Sequence, residues 1–322
     1  MNTVLVTGAN GFIGRALCTR SLAAGWHVRG IIRPDSHIVR LPKGVETFKI
    51  ESIGPDTEWS TALKSIDTVV HLAARVHMMN DSAADPLKEY RKVNVAGTEK
   101  LAKTAAKAGI RRFIFMSSVK VNGEGKPSSY TETDSPSPTD PYGASKWEAE
   151  QILNDIAAQT GMEVVILRAP LVYGPNVKAN FLNLIKIVQH GIPLPLGNIN
   201  NRRSFIYLGN LIYAIVACVQ HTGTIGSTYL ISDGEDVSTT DLIKRIAHAL
   251  ERPARVFPFP SFLLRLAARI LGKGTAIDRL LDSLTINMSK IQHELNWKPL
   301  YSMEQGLRET ARWYKQSMLS LN

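Results

Sequence analysis

Cysteine is nearly absent. Cys18 and Cys218 are the two in 322 residues, far apart in the chain and each inside an apolar helical pattern. That excludes a disulfide framework and fits a reducing cytoplasm, the expected location. No apolar run approaches the length of a membrane span, and the first one, residues 3–7, is too short for the core of a secretory leader. Acidic residues are the scarcer charge, 28 against 38 basic, for a formal net charge of +10. An excess of that sign suits an anionic ligand, nucleic acid or an acidic membrane surface. The basic residues are scattered, with no long tract and no aromatic ladder among them, which argues against nucleic acid. Internal repeats and long linkers are missing too.

Helical and strand patterns alternate through the first half, which predicts an α/β fold with a parallel sheet. Residues 2–7 read as a buried strand. TGANGFIG follows at 7–14, then a helical pattern over 15–24. In a strand–turn–helix unit, Gly8 allows the tight turn and Gly11 lets the backbone approach a pyrophosphate. Gly14 lets the helix pack closely, and the helix N-terminus offers free N–H groups. The spacing is GxxGxxG. Strand two is expected at 27–32. Its end, where an acidic residue would bind the ribose hydroxyls of NAD, is Ile32 followed by Arg33, with Ser36, His37 and Arg40 nearby. A guanidinium there suits a 2′-phosphate, so NADP(H) is favoured, with NAD(H) as the alternative.

Further strands are expected at 67–74, 112–118 and 163–168, and helices at 85–108 and 142–160. The strand at 112–118 ends in Ser117 and Ser118, at the crevice where open α/β sheets bind ligands. Residues 122–141 read as a loop and a wall of that crevice. Tyr142 and Lys146 lie one turn apart on a helix and point the same way. A phenol is a poor base at neutral pH, but a neighbouring ammonium lowers its pKa and a serine hydroxyl can bridge it to a substrate. Past residue 169 the pattern changes: 170–175 breaks regular structure, helices are expected at 180–190, 210–221, 240–249 and 302–315, and short strands at 203–208 and 228–232, with 288–299 among the closing segments. These imply a smaller C-terminal lobe. Residues 261–271, SFLLRLAARIL, are apolar with Arg265 and Arg269. A helix capping the substrate side is the expected role, with a membrane surface as the alternative.

TGANGFIG, HLAA at 71–74, NVAGT at 94–98, Ser117-Ser118, YGASK at 142–146, Arg168, YGP at 173–175 and the closing SKI…LNWKP occur in that order along almost the whole chain. Together they resemble the extended short-chain dehydrogenase/reductases that act on nucleotide-sugars. The resemblance implies a Rossmann-type doubly wound parallel sheet with a smaller C-terminal substrate-binding lobe. Residues 1–172 plus about 203–232 would bind NAD(P), and about 173–202 plus 233–322 the nucleotide-sugar. It implies catalytic Ser118, Tyr142 and Lys146, with Tyr142 as acid/base at the sugar C4 oxygen and Lys146 lowering its pKa. Gly8, Asn10, Gly11, Phe12, Ile13 and Gly14 would meet the pyrophosphate, with Leu72, Ala73, Ala74 and Pro170 along the cofactor. Asn94 would brace the active-site helices. Asn180, Arg203, Arg279 and Asp282 would hold the UDP moiety, and a homodimer would form through the helices at 85–108 and 142–160.

Departures from the family narrow the reaction. Its 4,6-dehydratases place an Asp-Glu pair after the catalytic hydroxyl residue, whereas Val119 and Lys120 stand there, so elimination of water is rejected. Leu171 replaces a frequent Asn, and Asn122 a frequent Tyr. The remaining choices are a 4-ketoreductase and a 4-epimerase. Residues 74–79 and 118–123 look most like proteins of bacterial surface-polysaccharide and O-antigen synthesis. With Arg33, they place reduction of a UDP-4-keto-6-deoxy-N-acetylhexosamine, of the UDP-N-acetylquinovosamine-forming type, ahead of UDP-sugar 4-epimerisation. A non-catalytic cofactor-binding regulator ranks third, because both Tyr142 and Lys146 are intact.

Overall fold

The computed structural model describes residues 2–34, 41–76, 85–126, 128–223, 226–270, 272 and 274–319, without the side chains of 275, 276 and 279. Strand β1 (Thr3–Thr7) alternates its side chains between two apolar layers. Val4 and Val6 enter one core with Leu17, Cys18 and Val28, while Leu5 enters the other with Val69, Phe113 and Phe115. Strands covered on both faces need this unbroken apolar run. Next come α1 (Phe12–Ala23), β2 (His27–Ile32), β3 (Glu46–Lys49) and β4 (Thr68–His71), then α2 (Pro86–Tyr90), α3 (Gly97–Lys107) and β5 (Arg112–Ser118). α4 (Pro141–Thr160) leads to β6 (Glu163–Ala169), β7 (Leu171–Tyr173), α5 (Ala179–Gln189), β8 (Arg203–Tyr207), α6 (Leu208–Gln220), β9 (Ser227–Leu230) and β10 (Asp236–Val237). The chain closes with α7 (Thr239–Leu250), α8 (Ser261–Ile270), α9 (Gly274–Leu281), α10 (Ser289–Leu295) and α11 (Met303–Leu319).

Seven strands form one parallel sheet in the order β3-β2-β1-β4-β5-β6-β9. The strand order reverses between β1 and β4, which opens a crevice at their carboxyl ends. The expected Rossmann-type doubly wound sheet is therefore present. A second sheet of three strands, β10-β8-β7, carries a separate apolar core with α5, α7 and α11.

Several elements differ from the sequence reading. β8 joins the small sheet, pairing Leu171 with Phe205 and Tyr173 with Tyr207. Its partner β7 lies inside 170–175, where four residues between prolines, one of them glycine, gave no strand signal. The expected helix over 85–108 is broken: Arg91–Ala96 is a π-helical turn between α2 and α3. β3, β10 and α9 went unread because they are short or follow a run of equally polar residues.

Residues 284–287 cross from one part of the fold to the other. Ser204 N donates to Leu284 O and Leu284 N to Arg202 O, at 2.8 and 2.9 Å. Immediately beyond, Tyr130 N donates to Thr285 O and Asn287 N to Tyr130 O, both at 2.8 Å. This segment thus pairs at once with β8 and with the loop that follows β5. Its apolar residues Leu284 and Ile286 pack with Val119, Tyr130 and Leu230.

Candidate active site

At the crevice, Gly8 adopts φ +65°, a left-handed conformation that side-chain-bearing residues disfavour. A Cβ on Gly14 would lie 2.2 Å from Gly8 O and 2.8 Å from the Ala9 Cα, so α1 touches the loop only because that position is glycine. Gly11 N donates to Gly8 O at 2.9 Å. α1 begins without a side-chain cap and without an acid in its first turn. Its leading N–H groups and dipole end therefore face the crevice without competition from a carboxylate, as a pyrophosphate requires. Asn10, Phe12 and Ile13 lie at this turn, and the loop fits a dinucleotide cofactor.

A hydroxyl relay missed at the sequence level sets the facing wall. The Thr7 hydroxyl accepts from Leu72 N and Ala73 N, each at 3.1 Å, and donates to His71 Nδ1 at 2.7 Å. His71 Nε2 then carries the proton and donates to Thr98 Oγ1 at 3.0 Å. Burial, with the Lys146 charge second, lowers the His71 pKa to about 3, so the ring stays neutral and keeps this tautomer. The relay draws Leu72, Ala73 and Ala74 against the glycine loop: the backbone N of Ala73 lies 3.1 Å from where a Gly8 Cβ would stand. Thr7 and His71 read as ordinary strand residues, and nothing in their spacing pointed to the relay. Arg33 stands exposed just past β2; Ser36, His37 and Arg40 fall outside the described residues.

α4 presents the phenol and the ammonium. Asp140 caps it, accepting from Gly143 N at 2.8 Å, and Pro141 starts its first turn. Lys146 is buried; its Nζ donates to Met116 O at 2.8 Å and sits 4.3 Å over the Phe115 ring and 6.0 Å from the centre of the Tyr142 ring. β5 thus holds the ammonium with Phe115 and Met116 and then delivers Ser118 at its end. Ser117 is committed elsewhere: its hydroxyl donates to the buried Glu150 carboxylate, which also pairs with Arg168. Among the described residues Ser118 accepts one bond, from Lys120 N at 3.3 Å, and it stays half-buried at the crevice. Pro170 is buried between β6 and β7.

Burial raises the Tyr142 pKa above its ordinary value, with Asp140 and then Tyr90 adding to the effect. The sequence reading expected Lys146 to lower it. In the chain alone desolvation wins, because the ammonium is spent on Met116 O and the Phe115 face. Tyr142 is therefore a protonated phenol, ready to donate. Burial lowers the Lys146 pKa to about 7, against a smaller raising effect from Glu150. Between pH 7 and its ordinary value near 10.5 the unfolded chain holds the proton and the folded chain does not. Stability should therefore rise with pH across that window, by about 1.4 kcal/mol per pH unit at most from this group. Lys146→Met should flatten that rise by about 2 kcal/mol between pH 6.5 and 9 in urea melts. An unchanged slope in the variant would refute the assignment.

Asn94, fully buried in the π-helical turn, braces both sides. Its Oδ1 accepts from Arg75 N at 2.8 Å, while its Nδ2 donates to Arg75 O and to Ser145 Oγ, each at 3.0 Å. Ser145 in turn donates to Tyr142 O at 2.8 Å. The extra residue in a π turn re-aims one side chain, here toward the helix that carries Tyr142. The Tyr90 ring meets that of Tyr142 edge-on at 6.2 Å.

On the other side of the crevice, Asn180 is exposed in the first turn of α5. Arg203 Nη1 donates to Asp282 O at 2.8 Å, so these two residues do come together. The Asp282 carboxylate, however, pairs with Arg265 at 2.8 Å, a partner not foreseen. Arg279 lies in α9, with its side chain outside the described residues.

A doubly wound sheet with a glycine-loop cradle and a Tyr-Lys helix beside Ser118 defines a dinucleotide-dependent enzyme of the α/β class. Residues 4–232 match the NAD dependent epimerase/dehydratase family, and the chain belongs to that family. A UDP-glucose 4-epimerase from Vibrio cholerae is 40% identical over 98% of this chain and 96% of its own length. An N-acetyl-alpha-D-glucosaminyl-diphospho-ditrans,octacis-undecaprenol 4-epimerase from Escherichia coli O157:H7 is 26% identical, covering 97% of this chain and 95% of that one. The structure of UDP-glucuronic acid 4-epimerase from Bacillus cereus, in complex with UDP-glucuronic acid and NAD, superposes with a TM-score of 0.80 at 27% identity, covering 98% and 99%.

Proposed function

We propose that the protein is an NAD-dependent UDP-sugar 4-epimerase. Residues 1–170 with about 208–232 would hold the cofactor, and about 171–207 with 233–322 the UDP-sugar, because β7 and β8 belong to the small sheet. The observation that carries this reading lies beside Ser118. The family includes dehydratases, which need an acid and a base at the two positions after the catalytic hydroxyl. Val119 is buried in the cluster with Tyr130, Leu230, Leu284 and Ile286, and Lys120 is ion-paired with Asp140. Val119 has no ionisable group and the Lys120 ammonium is held by Asp140, so the acid–base pair that elimination needs does not stand there and the chemistry stays at C4. The Vibrio cholerae relative supports epimerisation over reduction.

Gly8, Asn10, Gly11, Phe12, Ile13 and Gly14 would hold the pyrophosphate, with Leu72, Ala73, Ala74 and Pro170 further along the cofactor. When bound, NAD supplies a hydride acceptor for C4 and, in its oxidised form, a positive charge. Ser118 would take a hydrogen bond from the sugar 4-hydroxyl and pass its own to Tyr142. Tyr142, a protonated phenol in the chain alone, would have to be ionised in the complex, beside the Lys146 ammonium and the cofactor charge, to accept the proton as C4 is oxidised. It would return that proton to the 4-keto oxygen after the sugar has turned over. Lys146 would hold the ribose and balance the phenolate. Asn180 and Arg203 would contact the diphosphate, with Arg279 and Asp282 at the nucleoside end.

Arg33 favours a second reading, reduction of a UDP-4-keto-6-deoxy-N-acetylhexosamine by NADPH for polysaccharide synthesis. One set of assays separates the two. Epimerisation requires that purified protein with NAD convert UDP-glucose or UDP-N-acetylglucosamine to its C4 epimer with no net change in reductant absorbance. Stoichiometric NADPH consumption with the 4-keto sugar, and no epimer, would overturn it. Arg33→Ala should leave NADH binding within about twofold; a loss confined to NADPH of about tenfold, read by fluorescence titration, would identify Arg33 as a 2′-phosphate ligand.

A further inference from the structure

α8 carries an apolar face that nothing among the described residues covers. Phe262, Leu266 and Ile270 are 67%, 55% and 77% exposed and recur every fourth residue, which puts them on one side of the helix. Leu263 adds to that side, and Phe257, in the segment leading to α8, is exposed as well. The other side is anchored. Ala268 is buried, Leu264 packs on the core of the small-sheet lobe, and Arg265 turns inward to Asp278 and Asp282. The preceding segment is fixed too: Leu194 N donates to Arg255 O and Phe257 N to Leu194 O, at 2.8 and 3.0 Å. Exposed Ile192 belongs to that paired loop.

Charge around this face has one sign. From Arg252 to Lys273 the sequence holds four arginines and a lysine and no carboxylate. Arg252, Arg255 and Arg269 are exposed and make no ion pair among the described residues. The two acids on α9 and just after it that pack against α8, Asp278 and Asp282, are both taken by Arg265. We propose that this face of α8, with its arginine rim, docks the protein onto an anionic lipid surface. The helix has ten residues, about 15 Å of rise, and no described helix is long and apolar enough to cross a membrane. It lies in the plane of the interface, with Phe262, Leu266 and Ile270 among the acyl chains and the arginines at the headgroups. A second copy of the chain is the poorer occupant. A two-fold contact through this stripe would bring two arginine rims together without a carboxylate between them.

The test is co-sedimentation of the full chain with vesicles of phosphatidylglycerol and phosphatidylcholine, and with phosphatidylcholine alone. Binding should favour the anionic vesicles and fall steeply when salt is raised to about 0.5 M. The doubly substituted chain Phe262→Ser/Leu266→Ser should lose about tenfold or more in partitioning, and Arg269→Glu about tenfold. All three positions are exposed and outside the C4 chemistry, so soluble-substrate turnover should be unchanged in both variants. With vesicles present, hydrogen exchange should slow across residues 257–270. Undiminished binding by the double variant, or protection elsewhere only, would overturn the proposal. So would self-association that the double variant abolishes in a protein that ignores anionic vesicles.

Discussion

Tyr142→Phe should lower turnover by two to four orders of magnitude while cofactor affinity stays within about threefold. The effect is large because no other described group is placed to do the work. Ser117 is held by Glu150, and His71 is locked neutral between Thr7 and Thr98. Lys146 points its protons at Met116 O. The substitution removes one oxygen and keeps the ring that packs edge-on against Tyr90, so the fold should be untouched. Rapid-mixing measurement of hydride transfer, with a separate cofactor titration, checks both halves. Retention of more than a tenth of the wild-type rate would sink Tyr142 as the acid/base. A comparable loss in cofactor affinity would instead make it a binding residue.

The largest stability effect should come from Arg168→Met, a loss of about 3–5 kcal/mol in urea unfolding. Arg168 and Glu150 are both buried, and Nη2 meets Oε2 at 2.6 Å while Nε reaches both carboxylate oxygens at 3.1 and 3.2 Å. Nη1 donates to Asn122 Oδ1 at 3.1 Å. Without the guanidinium, Glu150 keeps among the described residues only the Ser117 hydroxyl as a side-chain donor, and Asn122 Oδ1 loses its donor while Nδ2 keeps Thr131 O. A carboxylate left in that position must stay charged in an apolar surround or take up a proton. The paired variant Glu150→Leu/Arg168→Met should recover most of the loss, because removing both charges leaves no unpaired ion. A single variant as stable as the wild type would mean that water reaches Glu150. Asn122 stands where related proteins often carry Tyr, and its bond to Arg168 gives that departure a structural role.

What the sequence made legible follows from how local each signal was. The glycine loop, the phenol–ammonium spacing and the choice of Ser118 over Ser117 are encoded within a few residues; in the fold the loop follows β1, Tyr142 and Lys146 lie on α4, and Ser118 ends β5. The seven-stranded parallel sheet could be read because strands covered on both faces must be apolar throughout. The Thr7–His71–Thr98 relay could not, since it joins residues 64 and 27 positions apart whose types are common in strands and helices. Asn94 was singled out, but the π turn that aims it was not, because one inserted residue leaves the apolar pattern almost intact. The direction of the Tyr142 shift failed for a similar reason. Spacing places the ammonium near the phenol, yet only the folded chain shows that Met116 O and the Phe115 face claim it.

Residues 284–287 have a mechanical consequence. Hydrogen-bonded on one edge to the loop after β5 and on the other to β8, this short strap splices the wall beside Ser118 to the strand that starts with Arg203. A rotation of the small-sheet lobe would drag the loop with it, and a displacement of the loop would tug on β8. In the proposed epimerase, admission of a nucleotide-sugar at the Arg203 end and alignment of its C4 carbon at the Ser118 end would thereby be geared to a single stroke.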